Sequence, residues 1–281
     1  VKIKKDFPLV SVIIPTRNSG NTLKTVLEAI KSQTYAYIQL IVVDNKSKDD
    51  TLEIASQYTD NIHNYGNERS EQKNYGAKIA MGELLFFLDS DAEPTPDVIQ
   101  DCVNTLTKYN ADMVIIPEFH SGKGFWAKVK TFERKIYLGN DSVEAPWFFK
   151  KEAFMKVGGY NETLIAGEDW HLFDCLKDMG YTYCRSTKFI RHHLGHLRFF
   201  SNLKKKFYYG RFLKHYISIN KGKSIKRIPF FRLGIFKKWK LLIRHPILTV
   251  SMFLMKFFES TAVFLGMILS NLSKGDVYEK K

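Results

Sequence analysis

Three short apolar runs, each ending in a knot of polar residues, constrain this chain more than any other feature. Residues 9–15 lead into Thr16-Arg17-Asn18, residues 39–44 end in Asp44-Asn45-Lys46-Ser47, and residues 84–88 lead into Asp89-Ser90-Asp91. Runs of this length, rich in Val, Ile, Leu and Phe, read as buried strands, and segments of helical period separate them. After Thr22, the side chains of Leu23, Val26, Leu27 and Ile30 fall on one helical face. Further helices are expected from about Asp50, over residues 71–81, and after Pro94 and Pro96, where Ile99, Val103 and Leu106 point inward. A fourth strand is expected over residues 113–117. Strands and helices alternating in this way fold as α/β, with a mostly parallel sheet flanked by helices. In such sheets ligands gather at the carboxyl ends of the strands, where the three polar knots lie.

Charge separates the chain into two parts. The formal net charge is +14 over 281 residues, yet residues 179–258 hold 19 Lys or Arg and no Asp or Glu, which leaves the rest of the chain net acidic. That basic segment is also rich in aromatic and aliphatic side chains, which suits an anionic membrane surface or phosphate-bearing ligands better than a solvated nucleic-acid-binding arm. We therefore expect one domain over residues 1–200 and a basic, apolar, helical extension over 201–281. Three cysteines without metal-ligand spacing, Cys102, Cys175 and Cys184, suggest neither a disulfide framework nor a zinc site, and fit a reducing cytoplasmic setting.

No Gly-x-Gly-x-x-Gly or Walker-type loop follows any of the strands, which argues against a dinucleotide cofactor and a P-loop. Asp44, at a strand end, is placed to accept a hydrogen bond from a nucleobase or a ribose hydroxyl; taken alone, it would as readily begin a turn. Asp89 and Asp91 are two apart in an extended stretch, so their side chains share one side and can approach a single cation. Hard divalent ions such as Mn²⁺ or Mg²⁺ prefer oxygen ligands and keep positions open for substrate phosphates.

The order of motifs resembles the glycosyltransferase family 2 enzymes, which have the GT-A fold. The matching segments are Ser11 through Asn18, Ile41 through Asn45 with Ser47 and Thr51, Lys73-Asn74-Tyr75-Gly76-Ala77, Phe87 through Asp91, Gly158-Gly159-Tyr160-Asn161-Glu162 and Gly167-Glu168-Asp169. The resemblance covers roughly residues 8–200. It implies that Pro15, Thr16, Arg17, Asn18, Asp44 and Asn45 line the nucleoside site, and that Lys73, Asp89 and Ser90 help hold the donor. It further implies that Asp89 and Asp91 form a metal motif and that Asp169, beside Glu168, is the catalytic base. Lys73 stands where the family often has Arg; it keeps the charge without the bidentate fork. At the start of a helix the dipole favours the anionic form of Asp169.

Later residues extend this reading. In Arg191-His192-His193 the two imidazoles point to opposite faces of an extended stretch, so one can reach the site, and His192 is chosen as a metal ligand by similarity to related transferases. Lys204, Lys206, Tyr209 and Arg211 are assigned to the leaving diphosphate as a mobile loop, with a solvated basic face or lipid phosphates as equal alternatives. Trp147, Phe148 and Phe149 read as core or strand residues, or as a stacking surface for a sugar. Residues 247–272 are largely apolar and about long enough to span a bilayer, but Lys256 and Glu259 interrupt them near the middle, which predicts two half-length helices lying in the interface. The alternative is a helix packed on the core, with those two charges paired on its exposed face.

Together these features predict an inverting, metal-dependent glycosyltransferase. Its donor would be a nucleotide sugar, UDP-linked by resemblance, and its acceptor a glycan or a polyprenyl-phosphate-type lipid. It would sit peripherally or monotopically on the cytoplasmic face of a membrane, with no nucleic-acid partner. The competing readings are a nucleotidyltransferase that makes activated sugars, which normally needs a glycine-rich phosphate loop, and a basic nucleic-acid-binding module, which leaves the Asp motifs unexplained.

Overall fold

The computed structural model describes residues 7–141, 143–220 and 238–270. In chain order the elements are β1 (Val10–Thr16), α1 (Gly20–Lys31), β2 (Ile38–Asp44), α2 (Thr51–Ser56), β3 (Ile62–Asn64), α3 (Arg69–Ile79), β4 (Leu84–Phe87), β5 (Ala92–Pro94), α4 (Val98–Tyr109) and β6 (Met113–Ile115). They continue with β7 (Glu118–Lys123), α5 (Phe125–Tyr137), β8 (Pro146–Lys150), α6 (Lys151–Lys156), α7 (Glu168–Asp178), β9 (Tyr183–Arg185), β10 (Ile190–His196), α8 (Phe199–Ile219), α9 (Trp239–Arg244) and α10 (Pro246–Leu269).

The chain divides into two compact units. One comprises Val1–Phe119, Glu144–Glu162 and Glu168–His193; the other comprises His120–Val143, Thr163–Gly167 and Leu194–Lys281. The first contains a seven-stranded sheet of order β3-β2-β1-β4-β8-β6-β9. β1 is parallel to β2 and β4, and β6 to β9, while β8 runs antiparallel to both of its neighbours. The sheet is therefore mostly parallel, as the alternating pattern requires. Side chains alternate across it: Val10, Val12 and Ile14 join α1 and α4 in one apolar layer, and Ile13, Ile41 and Val43 join α3 and α7 in the other. On α1 the four positions of the expected face, Leu23, Val26, Leu27 and Ile30, are the buried ones. Trp147, Phe148 and Phe149 lie in β8, with Phe148 and Phe149 in the two layers of the core, so they are strand residues. A smaller sheet has the order β5-β10-β7.

α3 is seated tightly on β1. A Cβ added at Gly76 would stand 2.4 Å from Ile13 Cγ2, closer than real contacts allow, so only glycine permits the approach that brings the earlier turn of α3 to the carboxyl ends of β1 and β4.

The second unit is helical, with α5, α8, α9 and α10 around a core of Val129, Phe132, Ile136, Leu242, Met252 and Met255. Two expectations are corrected here. Lys204, Lys206, Tyr209 and Arg211 are not in a loop: they lie on α8, a continuous helix of 21 residues. Its closely spaced cations and aromatics obscure the helical period in the sequence. The apolar segment likewise forms a single 24-residue helix, α10, rather than two halves. Lys256 and Glu259 do not break it because they face inward, toward α5 and α8, and they do not pair with each other on an exposed face. Phe236, Lys237, Asn271 and Leu272, which belong to the same basic and apolar stretch, lie outside the described residues.

Candidate active site

The loops after β1 and β2 are tied into one surface by side chains of the sequence motifs. Asp44 is fully buried and accepts hydrogen bonds from the Thr16 hydroxyl (2.7 Å), the Ser47 hydroxyl (2.6 Å) and the Ser47 N–H (2.8 Å). Asn18 and Lys46 both adopt left-handed backbone with φ of 51°. Asn18 is held there by its N–H to Ser47 Oγ and by its side-chain oxygen, which accepts from the Lys48 N–H. Ser19 Oγ lies 2.8 Å from Ser90 Oγ, which joins the first loop to the Asp89-Ser90-Asp91 motif. Gln72, a residue the sequence reading did not single out, donates from Nε2 to the carbonyl oxygens of Thr16 and Val43, closing the gap where β1 and β2 end. A carboxylate offers about four acceptor positions, so Asp44 retains capacity on Oδ2 after its three internal bonds. Pro15, Thr16 and Asn45 are buried at this end, and Arg17 and Asn18 are exposed.

Lys73 stands at the centre of the next group. Its ammonium is buried, 3.4 Å from Asp169 Oδ1 and 3.7 Å from Asp89 Oδ1, and it lies 5.0 Å from the centre of the Tyr160 ring. Burial alone would lower its pKa; Asp169 and Asp89 outweigh that and raise it, so Lys73 is a cation. One helical turn earlier, Arg69 reaches Glu168 Oε1 at 3.1 Å and Asp89 Oδ2 at 3.7 Å. Asp169 is further held by the Tyr160 hydroxyl, whose own pKa is pushed well up by burial and by the neighbouring carboxylates Asp169 and Glu168. Glu168 and Asp169 open α7, where backbone N–H groups favour negative charge. Even so, burial and the adjacent Asp169 raise Glu168 to about 7 against the pull of Arg69 and Lys73. Three carboxylates share two cations here. The side chain of Asp169 remains 34% accessible, enough to meet a substrate.

A third group surrounds His192. Successive residues of β10 alternate in direction, as expected: Arg191 and His193 both reach Glu93, at 3.1 and 2.6 Å, whereas His192 turns to Asp91 (Nε2 to Oδ1, 3.1 Å) and Glu118 (Nδ1 to Oε2, 3.6 Å). Burial would lower the pKa of His192, but its hydrogen bond to Asp91 and the nearby Glu118 carboxylate raise it to about 10. Two carboxylates thus already hold a positive charge at this point. Oxygen donors with one imidazole make a donor set that suits Mn²⁺ better than a soft ion, and His192 must lose its proton to ligate one.

The structure brings Lys73, Asp89 and Asp169 together, with Glu168 beside them, and places Asp91 against His192. It places Lys204, Lys206, Tyr209 and Arg211 on α8, in the other unit. Arg69, Tyr160 and Glu118 enter the site without having been assigned to it. Arg69 had a readable signal, since it precedes Lys73 by four residues and so shares its helical face. Tyr160 lay within a quoted motif, and Glu118 had no signal.

A sequence model described as Glycosyl transferase family 2 matches residues 11–160, more than half of the chain. The chain belongs to glycosyl transferase family 2. Among curated relatives, glycosyltransferase AglE of Haloferax volcanii is 29% identical over 192 residues, 62% of this chain and 63% of that protein. The uncharacterized glycosyltransferase RT0329 of Rickettsia typhi is 37% identical over 112 residues, 39% of this chain and 35% of that protein. The family-2 chain thus spans less than two thirds of the length of these relatives. Solved structures share its fold at low identity. The mannosyltransferase PcManGT from Pyrobaculum calidifontis, in complex with GDP-Man and Mn²⁺, aligns with a TM-score of 0.61 and 17% identity over 96% of this chain and 76% of that one. Residues 1-349 of S. aureus TarS, in complex with UDP-GlcNAc, align with a TM-score of 0.52 and 17% identity over 94% and 90% of the two chains. The family-2 chain therefore has the GT-A-type α/β fold that the family resemblance implied.

Proposed function

We propose that this chain is an inverting glycosyltransferase that moves a sugar from a nucleotide donor, UDP-linked by preference, to a hydroxyl or phosphate acceptor. The observation that carries the reading is the meeting of Lys73, Asp89 and Asp169 at the carboxyl ends of β1 and β4, in a family-2 sheet. In the transfer, an acceptor oxygen forms a bond to the anomeric carbon while the bond from that carbon to the diphosphate oxygen breaks. Its electron pair leaves on the nucleoside diphosphate, and the acceptor's proton passes to Asp169. A single displacement reverses the configuration of the sugar and forms no covalent enzyme intermediate. Tyr160 and Lys73 fix the carboxylate of Asp169, and Lys73 and Arg69 keep cationic charge near the departing diphosphate. Thr16, Asn18, Asp44 and Asn45 form the nucleoside side of the site.

Asp89, Asp91 and His192 would hold a divalent ion, Mn²⁺ or Mg²⁺, which when bound neutralises diphosphate charge. Support comes from the donor set around His192 and from the Mn²⁺ in the PcManGT complex. The donor assignment is supported by the GDP-Man and UDP-GlcNAc in the complexes of the two structural neighbours. A basic, apolar helical region favours residence on the cytoplasmic face of a membrane, where a polyprenyl-phosphate or other lipid-linked acceptor would be met.

A ligand that binds only the folded state raises its melting temperature. A panel of UDP- and GDP-sugars, each with and without Mn²⁺, is expected to give at least one metal-dependent rise in Tm, and no rise with any of them would remove the donor assignment.

A further inference from the structure

The charged residues of α10 point away from its exposed side. Glu259 is buried, 2.7 Å from Lys130 Nζ on α5 and bonded to the Asn202 amide on α8, while Lys256 Nζ lies 2.6 Å from Glu133 Oε1. Lys130 also meets Glu133 at 2.9 Å, so two cations and two anions close a neutral quartet inside the helical unit. The opposite side of α10 carries Ile247, Val250, Leu254, Phe257, Phe264 and Ile268, all exposed. These residues follow the alternating three-and-four spacing of one helical stripe. The single polar position within the stripe, Thr261, bonds its hydroxyl back to the Phe257 carbonyl oxygen at 2.9 Å. The stripe is uncharged for the whole helix, about 36 Å at 1.5 Å per residue.

α8 lies along the inner side of this helix at backbone contact. A Cβ at Gly210 would stand 2.3 Å from the Val263 carbonyl oxygen, and one at Gly266 would stand 2.3 Å from that of Phe207. α8 bears Lys204, Lys205, Lys206, Arg211 and Lys214. If α10 crossed a bilayer, its tightly packed partner would carry these five cations into hydrocarbon, where charge is costly. A helix lying in the interface avoids that cost. Just before α10, α9 supplies Lys240 and Arg244 with an exposed Trp239, a combination suited to anionic headgroups and the interfacial layer.

We infer that α10 lies in the plane of an anionic membrane surface, with the Ile247-to-Ile268 stripe embedded and the Lys130-Glu133-Lys256-Glu259 quartet keeping charge off that face. This rests on the membrane residence proposed above and replaces spanning with a defined orientation. The test uses the full chain, with Val250→Cys, Phe257→Cys and Phe264→Cys each labelled with an environment-sensitive fluorophore and the unsubstituted chain as the labelling control. Phosphatidylcholine–phosphatidylserine vesicles carry a quencher either near the headgroup or deep in the acyl chain. All three positions are expected to show the same ratio of shallow to deep quenching, with shallow quenching stronger. Depth that increases steadily from 250 toward 264, or no quenching while the chain floats with vesicles, would overturn the in-plane orientation and leave membrane residence standing. Failure of the unsubstituted chain to float would remove both, without touching donor binding. Phe257→Glu, at an exposed position, should lower vesicle partitioning by roughly tenfold or more with an unchanged circular dichroism spectrum. If it instead dissolved a dimer in solution while partitioning held, the stripe would be an interface between copies of the chain.

Discussion

Two clusters of buried charge, one in each unit, are built from the same residue types and behave differently. In the helical unit, Lys130, Glu133, Lys256 and Glu259 pair at 2.6 to 2.9 Å, two cations against two anions, and burial is outweighed: Lys130 is raised and Glu133 is held well below the usual carboxylate range. In the sheet unit, Arg69 and Lys73 face Asp89, Glu168 and Asp169 at 3.1 to 3.7 Å, and Glu168 is pushed up to about 7. The first cluster is neutral and closed; the second has one anion too many, longer contacts and an accessible carboxylate. A balanced cluster fixes helices, whereas an unbalanced one is left ready for a cation or a proton-bearing substrate.

The sharpest contrast in stability follows from removing one cation. Lys130→Met leaves Glu259 without its ammonium partner inside the unit and is expected to cost about 3–5 kcal/mol, read by urea denaturation. Lys130→Met with Glu259→Leu should recover most of that loss, because both charges of the pair are gone and Glu133 keeps Lys256. A single variant as stable as the parent would show that the quartet does not hold the helices.

A smaller effect is expected in the pH dependence of Tm. The pKa of Glu168 is raised in the folded chain, from an ordinary 4.5 to about 7. Its contribution to stability is therefore fully present below about 4.5 and is lost as pH rises through about 7. Glu168→Gln should remove that part of the decline, and an unchanged slope between those pH values would contradict the upward push that burial and Asp169 are assigned on Glu168. Smaller still, Arg69→Ala should change stability by no more than ~1 kcal/mol, since its guanidinium is half exposed, whereas a loss as large as that of Lys130→Met would erase the distinction between the clusters.

Much of the sheet unit is legible in the sequence, because buried strands and one-sided helices leave periodic patterns. The α1 face and the three polar strand ends lie where those patterns place them. What escapes has local causes. β3 is three residues long and only partly buried, so it has no period to read. β8 shows its aromatic content but not its direction, which long-range pairing with β4 and β6 decides. Lys256 and Glu259 look like interruptions of an apolar helix until their partners on α5 and α8 are known, and those partners lie more than fifty residues away. In the candidate site, Asp44, Lys73, Asp89 and Asp169 are picked out by the family resemblance, whereas Glu118 meets His192 only through tertiary folding.

The unbalanced cluster is assigned to chemistry, and Asp169 is where that assignment is most exposed. Asp169→Asn preserves shape and removes the proposed proton acceptor. With a hydroxyl acceptor it is expected to lower kcat by about 10²–10⁴-fold while the Kd of the nucleotide-sugar donor stays nearly unchanged. Measuring kcat and donor Kd side by side for Asp169→Asn and the parent chain is the direct test: a large fall in kcat alone is the result the account predicts, and near-parental turnover on a hydroxyl acceptor would contradict it.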